Sequence, residues 1–189
     1  MRKPRFAVVG DNCIDRFRPS GMSLLGGNAV NVAVQLALLG DASHYFGAVG
    51  LDPDGTRTIA ALASRGVDVS FVQQKPGTTA YTDVDVLPSG ERVFAYEDFG
   101  VCAGYRPSAA DLNALDGMDH IHIGWMDDEG ELRRRLVAKG LSVSQDISVN
   151  AEPVHLGVEG LTIAFGSAGE DDAAAADLLQ RLTVQNSRW

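Results

Sequence analysis

The chain has 189 residues, 45% hydrophobic and 22% charged, and its 16 Lys+Arg against 25 Asp+Glu leave a formal net charge of −9. That composition suits a single globular core, and the acidic balance argues against a nucleic-acid partner, which calls for a basic footprint. Two cysteines, Cys13 and Cys102, make no disulfide framework, and no run approaches the ~20 apolar residues of a membrane span, so a soluble, cytoplasmic protein is expected.

The first element is "FAVVG", Phe6–Gly10, a short continuous apolar run that predicts a buried strand of a parallel sheet. Ala29, Val30, Ala33, Leu36, Ala37 and Gly40 then recur every three to four residues and predict a helix with one face on that sheet. His44–Gly50 reads as a second strand, and the stretch after it as a helix with Ile59, Leu62 and Ala63 inward, closed by Gly66. Thr78–Gly100 alternates apolar and polar residues around a "PSGE" turn and predicts a β-hairpin standing out from the main sheet. Ser108 followed by Asp111 predicts a capped helix. A strand at His120–Trp125, a helix over 128–139, strands at "LSVSQDI" and "GLTIAFG", and a helix at "EDDAAAADLLQRL" complete the order. That order predicts an α/β, doubly wound, mostly parallel sheet with a small antiparallel appendage.

In open α/β sheets, ligands bind beyond the carboxyl ends of the strands. Asp11, Asn12 and Asp15 follow the first strand directly. Gly26 and Gly27 open the next helix, where bare backbone N–H groups can approach a ligand at the helix's positive end. Asn28 and Asn31 each add a donor and an acceptor. Carboxylates that accept, amides that do both and backbone that donates suit a polyol. A phosphate fits less well, because Asp11 and Asp15 would repel it. A dinucleotide site is disfavoured, since no G-x-G-x-x-G follows Gly10. His120 and His122 have no third ligand at metal-binding spacing, so no metal site is expected. Cys13 reads as a small buried residue, and Arg133–Arg135 as a solvated helix face.

"VVGDNCID" followed by "GGNAVNVAVQLALLG" resembles the PfkB, or ribokinase-like, family of sugar kinases, with the G-D-N-C-x-D pattern closest to its fructoselysine 6-kinase branch. "FGAVGLDPDGTRTIAALASRGVDVSFV" is similar to that family's next segment, and "GTTAYTDVDVLPSGERVF" to its lid hairpin. The resemblance implies a ribokinase-like domain in which Asp15, Gly26, Gly27 and Asn31 hold a sugar. Asp11, Asn12 and Asn28 would lie beside them, and Arg92 on the lid would reach an anionic group. It implies an ATP-dependent kinase using Mg²⁺, a small-molecule sugar as partner, and pairing of two copies through the lid.

The chain departs from that pattern in one respect. Members of the family carry a later D-T-x-G-A-G-D motif, whose last Asp is the catalytic base, and these 189 residues do not contain it. "GSAGEDD", Gly166–Asp172, only faintly resembles it and fits better a mid-chain segment in which Ser167 and Glu170 face the nucleotide and its metal. The expectation is the N-terminal portion of a single domain over 1–189, with a lid at about 78–100. The C-terminal nucleotide-binding part would be missing, and the polypeptide inactive by itself. A non-catalytic sugar-binding or regulatory module derived from such a kinase is the alternative.

Overall fold

The computed structural model describes residues 2–18, 20–169 and 171–186. In chain order the elements are β1 Arg5–Val9, β2 Cys13–Phe17, β3 Met22–Gly26, α1 Asn28–Leu38, β4 Ala42–Gly50 and α2 Pro53–Ser64. Then come β5 Asp68–Lys75, β6 Tyr81–Val86, β7 Arg92–Asp98, α3 Ala109–Leu115 and β8 His120–Ile123. They end with α4 Glu131–Ala138, β9 Val143–Asp146, β10 Ile163–Phe165 and α5 Asp172–Gln185.

Six strands form one sheet in the order β10-β9-β8-β1-β4-β5, and every pairing in it is parallel. The apolar run of β1 puts it at the centre, because a strand covered on both faces needs no polar alternation. Ala7 and Val9 face a cluster built with Phe46, Leu115, Leu132 and Leu136, which brings in α3 and α4. Val8 faces the opposite cluster, with Tyr45, Ala29, Val30, Ala33 and Leu62 from β4, α1 and α2. Helices therefore cover both faces, as the sequence predicts. The sheet lies to one side of β1 through β4 and to the other through β8, so a crevice opens beyond the carboxyl ends of β1 and β8.

A second, mixed sheet in the order β3-β2-β6-β7 stands beside that crevice. The predicted hairpin is its β6–β7 pair. The sequence did not predict β2 and β3, nor β5 in the main sheet. β2 pairs antiparallel with β3 and parallel with β6, so the lid is four strands wide and Asp15 sits on a strand instead of in a loop. Ile14, 1% exposed, anchors β2 to the core.

The lid is tied to the main sheet at its base. Asp52 caps α2 by accepting from the Gly55 N–H at 2.7 Å, and it also accepts from the Thr79 N–H at 2.8 Å and the Thr79 hydroxyl at 2.6 Å. Arg16 on β2 bonds Asp54 at 2.9 Å and lies 3.8 Å above the centre of the Tyr81 ring. These contacts fix where the sheet stands over the crevice.

Two sequence expectations are corrected. The inward stripe of α2 runs through Gly55, Thr58 and Leu62, with Ala63 exposed, because the helix starts at Pro53 and its phase follows from there. Arg133 is not solvated: it is 8% exposed and donates to the Glu159 carbonyl at 3.3 Å. The Ser108–Asp111 capping box forms as predicted.

Candidate sugar-binding site

The crevice is organised by Asp11. Helix α1 begins after Gly27, an N-cap with no side chain, so its first N–H groups need an outside acceptor. Asp11 supplies one from across the crevice. Its carboxylate accepts from the N–H of Asn28 at 2.6 Å, Ala29 at 3.1 Å and Trp125 at 3.1 Å. One side chain thus joins the end of β1, the start of α1 and the loop after β8. Burial pushes its pKa up and the backbone donors pull it back, with burial prevailing. The first amides of α1 are therefore already occupied and do not wait for a ligand.

The other candidate residues divide between scaffold and cleft. Asn12 is 1% exposed and turns into the core, where its Nδ2 donates to the Ala48 carbonyl at 2.6 Å and the Tyr45 hydroxyl at 3.1 Å. Asn28 Nδ2 donates to Asp146 at the end of β9, at 2.8 Å. Gly26 is the last residue of β3 and makes room for Asp15: a Cβ on it would lie 2.5 Å from the Asp15 carboxylate. Gly27 has φ 107 and presses on the Asn12 backbone, where a Cβ would come within 2.8 Å. The two glycines thus allow close packing of carboxylate and backbone, and Gly27 also lines the cleft. Arg92 is exposed on the lid and outside the residues that line the cleft, although its charge acts on Asp15.

The cleft itself holds about 250 Å³. Asp15 enters it from β2 and Asn31 from the first turn of α1. Pairing sets Asp15, Thr82 and Glu97 in one row across β2, β6 and β7. Phe99 and Trp125 stack at 4.2 Å between ring centres and line one wall, where the Trp125 Nε1 donates to the Asn150 carbonyl at 2.9 Å. Asn150 in turn donates to Glu97 at 3.0 Å, bridging the core loop and the lid. Glu97, Phe99, Trp125 and Asn150 carried no signal in the sequence; only the fold gathers them. Burial raises Asp15, while a hydrogen bond from Cys13 and the charge of Arg92 lower it.

A larger groove of about 450 Å³ lies between α1 and β10, where Phe6, Val32, Leu36, Ile163 and Phe165 are joined by His120, His122, Ser144 and Asp146. The smaller cleft is the better small-molecule site, because carboxylates, amides and aromatic rings converge there. Of the residues assigned to the nucleotide, Ser167 is exposed after β10, its hydroxyl accepting from the Gly169 N–H at 3.5 Å. Glu170 lies outside the described residues. No group of three or more metal-ligating side chains occurs among the described residues, and one hydroxyl does not make a donor set for ATP and Mg²⁺. Among the same residues, no helix is long and apolar enough to cross a membrane.

A parallel sheet with a strand-built lid over its switch-point crevice is the ribokinase-like fold. Solved structures with it include the Arabidopsis thaliana ribokinase complexed with ribose and ATP (TM-score 0.81, 16% identity, 98% of this chain and 70% of that one). A Giardia lamblia ribokinase gives TM-score 0.76 at 18% identity, over 97% and 71%. The chain belongs to the pfkB family of carbohydrate kinases, whose sequence model matches residues 20–123. Fructoselysine 6-kinase of Shigella flexneri is 35% identical over 170 residues, 89% of this chain and 65% of its own length. The Escherichia coli enzyme of that name is 35% identical over 88% and 64%. The chain therefore spans about 65% of the length of these curated relatives.

Two expectations follow. Asp11→Ala strips the acceptor from three N–H groups and is expected to lower unfolding free energy by about 2–3 kcal/mol. Asp15→Ala, which frees no backbone group, should stay within about 1 kcal/mol; urea melts of both variants check the contrast. Burial pushes the thiols of Cys13 and Cys102 up to about 12 each. At pH 8 they should carry on the order of a thousandfold less thiolate than a free cysteine and resist a disulfide reagent until the protein is unfolded.

Proposed function

We propose that these residues are the sugar-binding portion of a single ribokinase-like kinase domain whose substrate is a ketose or a ketose carrying an amine. The observation that carries this is the pairing of Asp15 on the lid with Asn31 on α1 across one cleft, with Asp11 holding the frame behind them. Asp15 accepts from two hydroxyls of the sugar. Asn31 donates to one ring or chain oxygen and accepts from another. The lid strands and the Phe99–Trp125 wall keep water from the reacting hydroxyl. Identity to the fructoselysine 6-kinases supports a fructosyl-amine substrate.

Family membership implies ATP with Mg²⁺ as phosphoryl donor, in a cytoplasmic setting. The described residues do not assemble that site, so the roles assigned here concern the sugar alone. The sequence lacks D-T-x-G-A-G-D, and this polypeptide by itself is proposed not to turn over. Exposed Met22, Leu24, Phe94 and Tyr96 on the lid support pairing of two copies through it.

Calorimetric titration with fructose and with fructosyl-lysine is the test. Binding is expected, and Asp15→Ala should weaken it on the order of tenfold or more. Unchanged affinity in Asp15→Ala would overturn the site. Formation of ADP from Mg²⁺-ATP and fructosyl-lysine, persisting after repurification, would overturn the proposed inactivity.

A further inference from the structure

We propose that Cys13 is a positioning residue for the sugar, its thiol holding the Asp15 carboxylate in the orientation that meets the substrate hydroxyls. The inference rests on the sugar site proposed above and deepens it.

The geometry of β2 and its neighbours carries it. Cys13 and Asp15 lie two apart on β2, on the face opposite the buried Ile14, and both line the cleft. In the β2–β3 ladder Asp15 stands across from Leu24, and Cys13 across from Gly26. Yet the Asp15 carboxylate lies over Gly26, where an added Cβ would come within 2.5 Å of it. The side chain therefore leans along the strand toward the Cys13–Gly26 pair, and a hydrogen bond from the Cys13 thiol meets it. The sulfur also lies 3.1 Å from the hydroxyl of Thr82, which is buried on β6. With the S–H directed at the carboxylate, the stronger acceptor, the Thr82 hydroxyl donates to the sulfur. Thr82, Cys13 and Asp15 thus form a chain in which each bond polarises the next. Burial pushes the thiol up to about 12, so Cys13 keeps the proton it donates.

A carboxylate fixed in this way keeps its remaining lone pairs for a ligand. The thiol also favours the ionised form of Asp15 against the burial that disfavours it. The other charged groups around Asp15 come from elsewhere: Arg92 and Glu97 on β7, Asp98 at its end and Asp11 after β1. Replacing Cys13 leaves all of them in place, so a change in Asp15 between variants reports the thiol.

The test takes two readouts on the wild-type chain, Cys13→Ala and Cys13→Ser. Carbon-13 NMR of the Asp15 carboxyl follows its titration without ligand. Calorimetry follows the binding of fructose, a neutral ligand, across pH. Cys13→Ala is expected to move the Asp15 midpoint to higher pH, because the ionised form loses a donor. It should also weaken fructose binding on the order of fivefold at neutral pH, with the loss growing as pH falls. Cys13→Ser, which restores a donor, should return both toward the wild type. An Asp15 midpoint unmoved in Cys13→Ala, or equal loss of affinity in Cys13→Ala and Cys13→Ser, would overturn this inference and leave the sugar site standing. Failure of the wild-type chain to bind fructose would overturn both. If circular dichroism shows that Cys13→Ala does not fold, Asp15→Asn decides. The infrared S–H stretch of Cys13 should then rise in frequency when the carboxylate is replaced by an amide, and an unshifted band would overturn the inference.

Discussion

Everything in the crevice depends on one carboxylate being held by three backbone amides. Helix α1 starts at a glycine, so it has no cap of its own, and Asp11 provides the acceptor from the end of β1. The same carboxylate takes the amide of Trp125 after β8. A charge at a helix N-terminus is favoured by the helix dipole, and here it also joins the two strands that border the switch point. The first turn of α1, with Asn31, and the aromatic wall at Trp125 are thereby fixed to a single point.

The rest of the site is built outward from that frame. Gly27 lets the chain pass against Asn12, and Gly26 leaves space for Asp15 to lie over β3. Asn12 ties the loop after β1 to Tyr45 and Ala48 in β4, and Asn28 ties α1 to Asp146 in β9. These polar side chains work as internal braces, since a buried amide needs partners. Braced this way, the core presents a rigid floor to a lid secured at Asp52, Thr79, Arg16 and Asp54.

Much of the fold was legible in the sequence because its signals are local. β1 and β4 are apolar runs, α1 and α4 show helical spacing, and the Ser108 cap lies three residues from its partner. β2 and β3 were not legible: "CIDRF" and "MSLLG" become strands only by pairing with each other, and β2 also with β6, which begins more than sixty positions after it. Asp15 and Asn31 stood out as polar residues in a glycine-rich frame, and both reach the cleft. Asp11 and Asn12 stood out equally; they line the same cleft and also brace it, through hydrogen bonds to amides and carbonyls from distant segments. Glu97, Trp125 and Asn150 belong to three separate stretches and share no spacing rule, so topology alone brings them together.

A crystal of the chain grown with a ketose tests the central point most directly. Ordered ligand between Asp15 and Asn31, with Asp11 still bonded to the amides of Asn28, Ala29 and Trp125, is the expected result. Ligand held by a reoriented Asp11, or lodged in the apolar groove beside Phe165, would contradict it.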